Sequence, residues 1–202
     1  GRYNADLAND IGNLVSRALT MAAKYCDGKV PRRWDPPVES GGGVVDFSES
    51  FATSVCAPND GLAAKVLGRY EDIDFSSALT ELWGWIGQFN QAIVQAAPWS
   101  LAKDPARRGE LEAFLYRLLE GVRLVAVLVS PVMPRAASRI FGMLGLGERE
   151  PAPPDLTWGL LEPGRPLGTI LPLFPRVDRD GEAKSDGASA AKTASKKQKE
   201  TP

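Results

Sequence analysis

Asn13 and Arg17 stand four residues apart, and Trp99 follows Pro98 some eighty residues later. On a helix, positions i and i+4 project from one face. Asn brings an amide that both donates and accepts, and Arg a planar fork of donors. Such a pair can hydrogen-bond the edge of an unpaired base. The same spacing also describes an ordinary polar helix surface, and spacing alone leaves both readings open. Trp99, placed between two helical stretches, reads as a core plug or as a platform on which one base stacks, worth roughly 1–3 kcal/mol. Asn90 and Pro98 flank this second group. The chain contains no histidine. That removes Ser-His-Asp and Cys-His catalysis, imidazole acid–base work and His-ligated metals. Gly41-Gly42-Gly43 lacks the Lys-Ser/Thr of a phosphate loop, and no dinucleotide-binding glycine fingerprint is present.

The elements that must position these residues are helical. From Arg2 to Tyr25, Leu7, Ile11, Leu14, Val15, Ala18 and Ala22 fall in one stripe. Asp6, Asn9, Asn13, Arg17, Thr20 and Lys24 fall opposite, so one face is core and the other open to solvent or a partner. Residues 26–43 form a proline- and glycine-rich connector containing Trp34, and a second helix follows Pro58-Asn59-Asp60 through Tyr70. Asp74 is an N-cap for a third helix that Pro98 stops. Within it Trp83 fits the apolar stripe, which assigns Trp85 to a rim. Asp104-Pro105 opens a fourth helix, apolar on more than one face and therefore central, ending near Pro131 and Pro134. A short amphipathic helix spans Ala136 to Leu144. Beyond residue 150 the density of prolines excludes long helices. Trp158, Leu161, Leu167, Ile170, Leu173 and Phe174 then read as an extended segment packing back on the bundle. The resulting expectation is an all-α bundle of about five helices over residues 1–178, with a disordered tail over 179–202 that is rich in Lys, Ala and Ser.

Composition allows this: 202 residues with 44% apolar and 24% charged side chains support one packed domain. Net charge is −1, so any nucleic-acid contact must rest on a local site rather than a global field. Cys26 and Cys56 are too few and too far apart for a disulfide framework or zinc site and read as structural thiols of a cytoplasmic protein. No apolar run approaches the length of a membrane span, and no signal-peptide pattern is present. A start at Gly1, already within a helical pattern, reads as a fragment of a longer chain.

The stretch from Arg2 through Gly12-Asn13-Leu14-Val15-Ser16-Arg17 resembles the first anticodon-domain helix of bacterial methionyl-tRNA synthetases. Asn90 followed by Ala97-Pro98-Trp99-Ser100-Leu101-Ala102-Lys103 is similar to that family's second signature in order and spacing. Leu173-Phe174-Pro175-Arg176-Val177 resembles its closing motif. The family often has an aromatic just after the position of Asn90; here Gln91-Ala92 follow.

The resemblance implies that Asn13, Arg17 and Trp99 read the CAU anticodon of methionine tRNA. Trp99 stacks on the first base and the other two hydrogen-bond to anticodon bases, with Asn90 and Pro98 in support. It also implies a parent reaction joining methionine to its tRNA with ATP and magnesium, carried out by a catalytic domain of the same synthetase. That domain's His-containing signature cannot be present here, and its Lys-Met-Ser-Lys-Ser-type loop is missing. The chain is therefore expected to use no cofactor of its own and to be inactive alone. Two alternatives stand beside this reading: a non-catalytic helical interaction module, and the homologous domain of another class I synthetase. Retention of Asn13, Arg17 and Trp99 together speaks against both.

Overall fold

The computed structural model describes residues 10–33 and 61–174. The expectations for residues 2–9, for the connector from residue 34 onward, for the motif beyond Phe174, and for the boundary at 178 with its tail lie outside the described residues.

Six α-helices occupy the described residues: α1 (Gly12–Tyr25), α2 (Leu62–Glu71), α3 (Phe75–Ala96), the single turn α4 (Pro98–Leu101), α5 (Arg108–Val129) and α6 (Pro134–Met143). Five have ten residues or more, as the apolar periodicity predicts. Asp74 caps α3, its carboxylate accepting from the Ser77 amide at 3.1 Å. Asp104 caps a 3₁₀ turn at Pro105–Arg107 that feeds α5. α5 stops at Val129. Pro134 opens α6 at its first turn rather than breaking the preceding helix, since its missing N–H would be unpaired there in any case.

α5 is the axis of the bundle. Nearly every residue from Leu111 to Val129 is buried, and α1, α2, α3, α4 and α6 all touch it. The sense of each helix follows from its ties. The Tyr70 hydroxyl at the end of α2 donates to the Leu128 carbonyl at the end of α5, 3.0 Å away. The tight α2–α3 turn therefore sits at the C-terminal end of α5, and α3 runs back along it. In that turn Ile73 holds φ 60°, a left-handed conformation that costs a β-branched residue roughly 1–2 kcal/mol.

The tryptophans of α3 correct the sequence reading. Trp85 is buried at 5% exposure, its ring edge-on to Phe89 with centroids 4.6 Å apart, whereas Trp83 is only half-buried. Ala78, Leu82, Trp85, Phe89 and Ala92 form a helical repeat of their own, and that row faces inward.

The segment after α6 packs back as expected, without a strand. A 3₁₀ turn at Pro153–Leu156 is followed by irregular chain that buries Leu161 and Leu173. An isolated antiparallel bridge joins Lys29 to Pro166. Beneath this segment lies a pair that the apolar pattern of α5 conceals. Glu120 and Arg123 are fully buried and joined at 2.6 Å. Arg123 donates onward to the Asp155 and Thr157 carbonyls, and Glu120 accepts from the Leu161 amide. Tyr116 donates to the Leu161 carbonyl at 3.1 Å.

Candidate nucleic-acid interface

α1 buries Leu14, Val15, Ala18, Leu19 and Ala22, which leaves Asn13 exposed and Arg17 half-exposed on the opposite side. Arg17 has no ion-pair or hydrogen-bond partner among the described residues. Its guanidinium fork and the Asn13 amide are therefore available from one face, as the four-residue spacing predicts.

Trp99 owes its position to the proline before it. A residue preceding proline is pushed out of the right-handed helical region. Ala97 is left-handed, at φ 44° and ψ 61°, and ends α3. The chain turns sharply and restarts as α4, with the Ser100 and Ala102 amides bonded to the Ala97 and Pro98 carbonyls. Pro98 and Leu101 are buried, three residues apart on the inner face of that turn. Trp99 must then point outward, and it is 45% exposed. The core-plug reading of Trp99 is excluded by this geometry: the plug is Pro98 with Leu101, and Trp99 is a surface aromatic plate.

Two ties set α1 beside this turn. At one end the Asn90 amide donates to the Asp10 carbonyl at 3.4 Å. At the other, Cys26 and Asp27 share a hollow with Arg108 and Glu112, the start of α5. α1 therefore runs in the same sense as the last turns of α3. Arg17 lies about 11 Å along from Asp10, and Pro98 about 12 Å along from Asn90, at 1.5 Å per residue. The polar face of α1 and the Trp99 plate thus stand at the same level of the bundle. Asn90 is the tether between the two helices; its Oδ1 is buried with no partner among the described residues.

This arrangement can hydrogen-bond base edges and stack a base; it holds no nucleophile paired with a base. Among the described residues no three His, Cys, Asp or Glu side chains gather as a metal site. Burial raises the Cys26 thiol to about 11, with Arg108 partly opposing, so it is inert near neutrality. No described helix is long and apolar enough to cross a membrane.

Residues 58–187 match the family model described as the anticodon binding domain of methionyl tRNA ligase. The chain belongs to that family. It is 36% identical over 200 residues to the methionine–tRNA ligase of Caldanaerobacter subterraneus subsp. tengcongensis, a match that covers 99% of this chain and 29% of the relative. The Bacillus subtilis methionine–tRNA ligase is 34% identical over 204 residues, covering 98% and 29%. The apo structure of Mycobacterium tuberculosis methionyl-tRNA synthetase superposes with a TM-score of 0.69 at 32% identity, covering 88% of this chain and 34% of that one. The chain thus spans about a third or less of the length of these proteins, and its fold is that of their anticodon-binding domain.

Proposed function

We propose that this chain reads the CAU anticodon of methionine tRNA within a cytoplasmic methionine–tRNA ligase. The aminoacylation itself, with its ATP and magnesium, belongs to a catalytic domain whose signatures this chain lacks. The observation that carries the reading is the exposed Trp99 plate level with the Asn13–Arg17 face. In this reading the indole stacks on the first anticodon base, and the Asn13 amide and Arg17 fork take the edges of anticodon bases. Family membership supports the reading and favours it over a general interaction module or another synthetase's domain.

The test is binding of a CAU stem-loop and of loops with altered anticodons, at low salt where phosphate contacts keep affinity measurable. Trp99→Ala weakens CAU binding by roughly 1–3 kcal/mol, and Trp99→Phe recovers part of it, because any aromatic face stacks. Arg17→Ala lowers discrimination among anticodons. Arg17→Lys does not restore it, since an ammonium lacks the planar fork. If folded Trp99→Ala and Arg17→Ala variants bind CAU and altered loops as the parent chain does, the assignment fails.

A further inference from the structure

A hollow of about 350 Å³ opens at the C-terminal end of α1, lined among others by Lys29, Arg32 and Arg108 and by the carboxylates of Asp27 and Glu112. Arg108 is already neutralised, its Nε 2.7 Å from Glu112. Lys29 and Arg32 are exposed and have no ion-pair partner among the described residues. Asp27 offsets one of them, which leaves the hollow a net positive site in a chain whose overall charge is −1.

The two cations ride on clamped backbone. Val30, between them, donates from its amide to the Arg165 carbonyl and accepts from the Gly164 amide, both at 2.8 Å, and Lys29 is bridged to Pro166. Val30 and Pro31 are buried. The charges are therefore held at fixed height instead of on a loose tail. A polar stripe connects them to the base-reading face. Arg17, Thr20 and Lys24 lie within about 60° of one another around α1 at 100° per residue. From Arg17 to Lys24 this stripe climbs about 11 Å at the helical rise, from the level of Trp99 toward the hollow just past the end of α1.

We propose that this hollow seats a backbone phosphate of the RNA whose bases are read at Asn13, Arg17 and Trp99, with Lys29 and Arg32 as its ligands and Lys24 along the path. The inference rests on the function proposed above. It supplies what the negative overall charge withholds: a local positive site that orients the RNA and carries no sequence information.

The experiment compares the 202-residue chain with its Lys29→Gln/Arg32→Gln variant, both shown folded by circular dichroism. Binding of the CAU stem-loop is followed by fluorescence anisotropy between about 20 and 200 mM salt, the range in which counterion release is read. The slope of log K against log salt becomes shallower by about 0.7–0.9, the value for one phosphate that the protein no longer neutralises, while the ratio of CAU to altered-loop affinity is unchanged. Lys65→Gln, an exposed lysine on α2, leaves the slope as it was. Neutral methylphosphonate links placed one at a time in the stem-loop flatten the slope at one position for the parent chain and not for the double variant. An unchanged slope in a chain that still discriminates CAU overturns the phosphate seat and leaves the base-reading function standing. Lost discrimination in the double variant with an unchanged slope also overturns the seat. A parent chain that does not discriminate CAU at all overturns both.

Discussion

Arg123→Met is expected to be among the most damaging single changes available in this domain. Arg123 is 1% exposed and Glu120 is not exposed at all. Arg123 reaches the Glu120 carboxylate with Nε at 2.9 Å and Nη2 at 2.6 Å, and its Nη1 and Nη2 also hold the Asp155 and Thr157 carbonyls. Methionine fills much of the stem volume but donates nothing. The Glu120 carboxylate is then left in the core with the Leu161 amide as its remaining partner. Stranding one member of a buried pair costs roughly 3–5 kcal/mol, a large part of the ~5–15 kcal/mol a domain possesses. The Asp155 and Thr157 carbonyls lose the same donor, which adds to that cost. At about 2–4 °C per kcal/mol for a domain of this size, the melting temperature falls by roughly 6–20 °C. Adding Glu120→Leu removes the stranded charge and leaves the Leu161 amide short of an acceptor, a cost of about 1–3 kcal/mol. The double variant is therefore more stable than Arg123→Met alone. Urea and thermal melts of the parent, both single variants and the double decide the matter. A single-variant loss under about 1 kcal/mol, or costs that simply add, would refute the assignment of the pair as a buried, coupled clasp.

Other changes follow from the same geometry. Gly121→Ala places a methyl inside the Phe89 ring; overpacking of about 1–3 kcal/mol outweighs the ~1 kcal/mol of helix propensity gained, and the urea midpoint falls. Asn90→Ala removes a long 3.4 Å bond and an acceptor that has no partner, so stability changes by less than about 1 kcal/mol; discrimination between CAU and altered loops nevertheless drops, because α1 loses its tether beside Trp99. Asp155 is held below its ordinary 3.8 chiefly by its hydrogen bond from Arg149, with the Ala152 amide adding to it. A depressed carboxyl stabilises above its unfolded pKa and loses that contribution as pH falls through the folded one. The stability gap between the parent and Asp155→Asn is therefore full above about pH 5 and narrows as pH falls below the ordinary carboxylate range of about 4; a gap that does not narrow with acidification would show that the carboxylate's charge is not involved.

How far the sequence discloses this molecule depends on whether a signal is local. The caps at Asp74 and Asp104, the stop at Pro98, and the outward face of Asn13 and Arg17 are set by residues within one turn, and all are legible from spacing. Trp83 and Trp85 are not. Each lies on a plausible apolar row of α3, and only the partners packed on that helix decide which row is inside. The Glu120–Arg123 pair leaves a fainter trace, two opposite charges three apart in an apolar helix, yet their partners lie more than thirty residues further on. Trp99 shows the two kinds of information meeting. Alone, its position after a proline permits a plug or a plate. Pro98 and Leu101, three residues apart on a one-turn helix, cannot both be buried without turning Trp99 and Ser100 between them to the surface. The exposure of the indole follows from the burial of its neighbours, and an aromatic that the core has no room for is free to receive a base.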